Sequence, residues 1–300
     1  MKVFVTGATG YIGTAVVAEL TQAGHQVVGL ARTDQGEARL RAAGARVRRG
    51  TLADLSVLKE EAGAADGVIH LAFVHTFPAF LLSAIQTDVK AINALGSALE
   101  GTGKPLVAAG GVAGLRPGEI LTEDFVPDYR KVPRKSEQTV LDWAARGVRA
   151  SVVRLSPTVH GPDDHGFVSW VVAAARKKRN SVFVGDGRQR WAAVHRLDAA
   201  RLFRLALERG KAGGIFHGVA EEGVPFGDVA EAVGRGLGVP TKSRSQWGAF
   251  LSMGVVGIIA GIDGPASHAL TTEALGWEPS HPTLLQDVTS GAYALPGETW

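Results

Sequence analysis

Lys2-Val3-Phe4-Val5-Thr6-Gly7-Ala8-Thr9-Gly10-Tyr11-Ile12-Gly13 is the stretch whose reading decides the fold. A short apolar run ends in a glycine-rich turn, and an amphipathic segment over residues 12–23 follows. That order predicts a first strand, a tight turn and a first helix. Such a turn aims the helix's free N–H groups, and the positive end of its dipole, above the sheet edge. An anion such as a pyrophosphate suits that position. Each glycine has its own task. Gly7 permits the turn, Gly10 lets the backbone approach the phosphates, and Gly13 lets the helix pack close to the strand.

Outward from this turn, apolar runs at residues 26–31, 45–49, 67–72, 105–109 and 149–154 alternate with helical patterns at 35–43, 54–62, 78–100 and 134–146. The runs are short and continuous, as strands are when helices cover both faces of a sheet. The alternation predicts an α/β fold, a Rossmann-type doubly wound parallel sheet. Beyond residue 154 the pattern loosens. Helices are expected at 167–178, 198–209 and 226–237, and strands at 181–184 and 214–219, the last returning to the sheet. The division expected is a nucleotide-binding region, 1–155, and a smaller C-terminal substrate-binding lobe, 156–300, that roofs the crevice.

The chain has 300 residues, 45% hydrophobic and 20% charged, with a formal net charge of +3. That is an ordinary globular composition. The densest basic cluster, Arg176-Lys177-Lys178-Arg179 before Asn180, reads as a helix C-terminus capped by Asn. No aromatic residues interleave it, so no nucleic-acid partner is expected. The chain has no cysteine, which excludes disulfides, thiolate catalysis and cysteine-ligated metals. Residues 249–262 form an uncharged apolar stretch, shorter than the ~20 residues of a membrane span. A buried helix or pocket wall is expected there, and no membrane partner. Met1-Lys2 leads straight into the first strand without a signal peptide, so a cytoplasmic location is expected.

The second strand ends Gly29-Leu30-Ala31-Arg32-Thr33, with no carboxylate at its tip. An acidic residue there would hold a ribose 2′-hydroxyl, whereas an arginine accommodates a 2′-phosphate. Arg32 therefore points to NADP(H), ahead of NAD(H).

Several motifs carry a resemblance. They are Thr6-Gly7-x-x-Gly10-x-x-Gly13, His70-Leu71-Ala72, Arg154-Leu155-Ser156-Pro157 with His160-Gly161-Pro162, the segment Arg190 to His195 with Asp198, and Leu275-Gly276-Trp277-Glu278-Pro279. Together they resemble the extended or atypical short-chain dehydrogenase/reductases, within the wider NAD-dependent epimerase/dehydratase family. The resemblance implies cofactor contacts at Gly7, Thr9, Gly10, Tyr11, Ile12, Gly13, Arg32, Leu52, Leu71, Ala72 and Phe73. Thr51 stands where the family commonly has Asp. A homodimer through helices 78–100 and 134–146 is a family-level expectation.

The family's chemistry uses a Tyr with a Lys four residues later, which depresses the phenol's pKa, and a Ser after the fifth strand. This chain has no Tyr-x-x-x-Lys. Tyr129 falls at the Tyr position if Glu137 matches the acidic residue that follows the motif. Position 133 is then Pro, and Gly110 stands where Ser is expected. Three readings stay open. In the first, Tyr129 keeps its role beside another cation, Lys131 or Lys135. In the second, a histidine, His75 or His160, donates the proton. In the third, the site binds cofactor without turnover. His195 reads as structural, and the loop His160, Asp163, Asp164, His165 reads as a turn, with no metal expected. Phe73, Phe77, Phe80, Trp170, Trp191, Trp247, Phe250 and Met253 suggest an apolar, aromatic roof, while Arg188 and Arg190 could grip a diphosphate. The function expected is NADP(H)-dependent hydride transfer to a small apolar ketone or aldehyde. The competitors are a non-catalytic NADP(H)-binding regulator and a nucleotide-sugar epimerase or dehydratase.

Overall fold

The computed structural model describes residues 1–74 and 81–294. The first half alternates β1 (Lys2–Thr6), α1 (Tyr11–Gln22), β2 (Gln26–Ala31), α2 (Asp34–Ala42), β3 (Arg46–Arg49), α3 (Leu55–Ala64), β4 (Gly67–His70), α4 (Leu81–Leu99), β5 (Pro105–Gly111), α5 (Ser136–Asp142) and β6 (Arg149–Leu155). The second half contains β7 (Thr158–His160), α6 (Phe167–Lys178), β8 (Ser181–Val184), β9 (Arg190–His195), α7 (Arg196–Arg209) and β10 (Gly214–Gly218). It continues with β11 (Glu221–Pro225), α8 (Phe226–Gly236), β12 (Thr241–Arg244), α9 (Gln246–Met253), α10 (Val255–Ile259), α11 (Ala269–Leu275) and α12 (Leu284–Thr289).

The described residues build a seven-stranded parallel sheet in the order β3-β2-β1-β4-β5-β6-β10. This is the expected doubly wound, Rossmann-like sheet. Strand periodicity sorts its two faces. Val3, Val5, Ile69, Val107 and Val153 point into a core shared with α1 and α7. Phe4, Val68, Leu106 and Val152 point into the opposite core, with α3, α4 and α5. On that side Gly96 of α4 lies under the Trp143 indole, where any Cβ would collide with the ring. The strand expected at 214–219 does return to the sheet, pairing in parallel with β6.

The remaining elements form a smaller unit: a three-stranded sheet, β11-β9-β7, and a parallel pair, β12-β8. Its core centres on Trp191, whose ring centroid lies 4.0 Å from Phe167 and 4.7 Å from Phe226.

Three local expectations are revised. α5 starts at Ser136, past Pro133, and ends in a 3-10 turn, Ala144–Arg146, closed by Gly147 at φ 75°. The left-handed residue ending α6 is Arg179, at φ 54°, rather than Asn180, whose Nδ2 instead donates to the Lys178 carbonyl. Residues 249–262 form two short helices, broken at Gly254 (φ 63°), and not one buried helix. Leu251, Val255 and Ile258 face solvent, because the pair packs on one side alone. Among the described residues no helix is long and apolar enough to cross a membrane.

Candidate active site

β1 has β2 on one side and β4 on the other, so the chain leaves it in opposite directions. Sheets of this kind open a crevice at that switch point, beyond the carboxyl ends of the strands. Here a cleft of about 790 Å³ opens there. Every residue expected to touch a cofactor lines it: Gly7, Thr9, Gly10, Tyr11, Ile12, Gly13, Arg32, Leu52, Leu71, Ala72 and Phe73.

The glycine turn is packed as tightly as the sequence suggests. Gly7 sits at φ 70°, and a Cβ on it would lie 2.7 Å from the Ala72 nitrogen. A Cβ on Gly13 would be driven into the Gly7 carbonyl. Gly10 caps α1 with no side-chain hydrogen bond, and the helix's first turn holds no acidic residue. The free N–H groups and the dipole are therefore open to an anion, and the cradle fits a dinucleotide's pyrophosphate. Arg32 is exposed at the cleft, and Asp34, which could have neutralised it, pairs with Arg49 at 2.9 Å. Thr51 donates from its backbone and hydroxyl to Asp54, at 2.7 and 2.9 Å, leaving Leu52 as an apolar surface beside it.

A buried polar chain runs from β1 to the mouth of the cleft. Thr6 Oγ1 lies 2.7 Å from His70 Nδ1, and His70 Nε2 lies 3.0 Å from Asp88 Oδ1. With Asp88 ionised, His70 donates from Nε2 and accepts the Thr6 hydroxyl at Nδ1. Ser136 Oγ donates to the other Asp88 oxygen and accepts from Arg134 Nε at 2.9 Å. The Arg134 guanidinium lies over the Phe73 ring, 4.0 Å from its centroid, and 3.9 Å from Asp88. Burial works to raise the Asp88 carboxyl, but His70, Ser136 and Arg134 together hold it below the usual carboxylate range. Sequence reading missed Asp88 and Arg134. The available signal was position, since Arg134 directly follows Pro133, where the family's Lys is expected.

Tyr129 is half-buried and is not among the residues lining the cleft. Its hydroxyl donates to Glu137 Oε1 at 2.7 Å, and Glu137 is gripped by both Nε and Nη2 of Arg154. Burial first, then the Glu137 hydrogen bond, push the phenol's pKa up. That is the opposite of what the family's chemistry requires. Lys135 donates to the Tyr129 carbonyl rather than its phenol, and Lys131 points to Asp128. At Gly110 a Cβ would lie 2.9 Å from Val152 and 3.3 Å from Glu137, so a serine would be crowded there.

His160 does not line the cleft either. It is fully buried, with Nδ1 2.6 Å from Asp287, and its ring meets His195 edge-on. His195 stacks on His281, with centroids 4.9 Å apart. His195, Asp198 and His281 bring possible metal-ligand atoms within 4.8 Å of one another. Several of their polar atoms are already engaged: Asp198 accepts from the Ser280 and His281 nitrogens and bonds His281 Nδ1, and His195 Nδ1 accepts from Leu197. The trio reads as a strut tying α7 to the segment before α12. Burial, against the pull of Asp287, lowers the His195 pKa from 6.5 to about 4. The unfolded chain therefore binds more protons between those values, and stability is expected to fall as pH drops from about 6.5 toward 4. Thermal melts across that range check this: His195→Gln should flatten the slope, and an unchanged slope would assign it to another group.

His75, Phe77 and Phe80 lie outside the described residues. On the substrate side the cleft is lined by Ala109, Pro157, Val159, Phe167 and Trp170, with Asp164 and His165 at its rim. Asp164 accepts from Gly166 N at 2.6 Å and from the Tyr293 hydroxyl at 3.1 Å, and burial raises its carboxyl. Burial likewise raises the Tyr11 phenol. Arg190 is locked onto Asp263, Nε to Oδ1 at 3.0 Å and Nη2 to Oδ2 at 2.7 Å, while Arg188 points to solvent.

Comparison with known proteins agrees with this geometry. An uncharacterised protein of Schizosaccharomyces pombe is 45% identical over 295 residues, covering 98% of this chain and 100% of its own. The 2-alkyl-3-oxoalkanoate reductase of Stenotrophomonas maltophilia is 32% identical over 221 residues, 69% of this chain and 66% of its own length. The structure of UDP-glucuronic acid 4-epimerase from Bacillus cereus, in complex with UDP-glucuronic acid and NAD, superposes with a TM-score of 0.76 at 16% identity, covering 98% of both chains. The family model for NAD dependent epimerase/dehydratase proteins matches residues 3–217. That match runs from the first strand of the main sheet into its last, and the chain belongs to the NAD-dependent epimerase/dehydratase family.

Proposed function

We propose that the protein is an NADP(H)-dependent oxidoreductase acting on an apolar ketone or aldehyde. The observation that carries this reading is the contrast between the two ends of the cleft. One end offers a helix N-terminus and Arg32; the other is lined mostly by apolar side chains beside Asp164 and His165, and Arg190, one of the two arginines expected to grip a diphosphate, is occupied by Asp263. A bidentate carboxylate leaves that guanidinium little to give a nucleotide sugar. The Stenotrophomonas relative, whose name describes reduction of an oxo group beside alkyl chains, supports the same choice.

When bound, the nicotinamide supplies or accepts the hydride. The alkoxide left by hydride transfer takes its proton from solvent water, and the chain's own residues bind, orient and polarise. Gly7, Gly10 and Gly13 would let the backbone close on the pyrophosphate, Leu52 would pack the adenine, and Arg32 would face the 2′-phosphate. Arg134 is not itself among the residues lining the cleft; it lies over Phe73, which is, and its fixed positive charge would act on the carbonyl oxygen from that position as negative charge gathers there. Pro157, Val159 and Trp170 keep water from the reacting carbon.

The test is loss of NADPH absorbance with a panel of ketones and aldehydes. NADPH that binds but is never consumed would favour the regulator reading, which the Tyr129–Glu137 hydrogen bond also favours. Arg32→Ala should weaken NADPH binding by about tenfold, the size of a lost charge-assisted contact, and leave NADH unaffected. An unaltered NADPH-to-NADH ratio would remove the NADP assignment.

A further inference from the structure

Trp170 borders both the cleft described above and a shallow hollow open to solvent, of about 300 Å³, whose other walls are Met253, Val255 and Val256. α6 brings Phe167 and Trp170 to one face, three residues apart, so the apolar wall of the cleft continues outward along the helix. The far wall is the α9–α10 pair. Gly254 turns the chain between the two helices, and at Gly257 a Cβ would strike the Ala249 carbonyl, so the two can pack this closely only with glycine there. The residues lining the hollow carry no charge, and the Trp170 indole N–H is the one strong hydrogen-bonding group among their side chains.

We propose that this hollow is a distal subsite for the hydrocarbon portion of the substrate, the carbonyl remaining in the cleft and the chain passing Trp170. This rests on the reading of the cleft as a carbonyl site. An uncharged, largely apolar wall selects by length and bulk, not by headgroup. Each methylene that enters it should tighten binding by about fourfold.

The experiment is calorimetric titration of the NADP⁺-loaded protein, which cannot reduce what it binds, with methyl ketones from butanone to 2-decanone. In the wild type the dissociation constant should fall about fourfold per methylene until the hollow is filled. Val255→Asp, at an exposed position, should flatten that slope to less than twofold, and Trp170→Ala should do the same, with far-ultraviolet circular dichroism confirming that both fold. A wild-type slope near zero, or slopes that survive in both variants, would overturn the subsite. Turnover measured separately distinguishes the two ideas. A steep, variant-sensitive slope without NADPH consumption sinks the reductase and leaves the subsite. Consumption of NADPH with a flat slope does the reverse.

Discussion

Gly13→Val is expected to weaken NADPH binding by roughly 100-fold or more and to lower the melting temperature as well. The reason lies in the turn. The Cβ position of Gly13 coincides with the Gly7 carbonyl, and Gly7 is itself closed in by the Ala72 backbone. The turn has no room to yield toward β4, so α1 must move away from β1. That movement pulls the α1 N–H groups from the pyrophosphate and disturbs the packing of Val16, Val17 and Leu20 with α7. Calorimetric titration with NADPH and a thermal melt measure the two effects. Gly24→Ala is the control, since its surroundings are open and its φ of 82° gives only local strain. A Gly13→Val protein that binds NADPH like the wild type would remove the cofactor from this turn.

Arg134→Ala should lower kcat by about 100- to 1,000-fold, as loss of a charge aimed at a developing oxyanion does elsewhere. Affinity for NADPH should fall by less than kcat does, because among the expected cofactor contacts the side chain meets Phe73 and none of the glycine turn. Arg134→Lys keeps the charge but loses the flat stacking face, and should recover part of the rate. Tyr129→Phe belongs in the same experiment. Its hydroxyl is turned to Glu137, so its removal should cost less than about tenfold in kcat, below the usual range for losing a general acid. Steady-state kinetics on one ketone decide between them. If Tyr129→Phe abolishes turnover and Arg134→Ala does not, the roles given to the two residues are exchanged.

The nucleotide half was legible because its information is local. A strand, three glycines and a helix fit within a dozen residues, and the end of β2 follows directly. The substrate half depends on partners far apart in sequence. His160 has the residue type of a proton donor, but its role is set by Asp287, 127 residues downstream. Arg190 has the type of a diphosphate grip, but Asp263, 73 residues on, occupies it. Arg134 carries no motif; its importance comes from Phe73 on one side and Asp88 on the other, brought together only when β4, α4 and α5 assemble. Residues 249–262 do supply the wall of a hollow, one of the two outcomes expected, but the single buried helix failed for a related reason. Lack of charge argues for burial, but a left-handed glycine in the middle folds the stretch into two helices with one face left open.

The last strand of the main sheet, β10, and the helix before it, α7, have a consequence for how the protein is made. Synthesis proceeds from the N-terminus, so β1 to β6 emerge well before residues 196–218. Until then β6 presents an unpaired edge of backbone groups, and the part of α1 that packs on α7 is uncovered, although the sheet already supports its other side. The nucleotide half is therefore complete in sequence long before it is complete in space. A growing chain that stalls near residue 155 would leave the ribosome with a sticky edge exposed, and the cofactor cradle would become rigid only after about two-thirds of the polypeptide has been released.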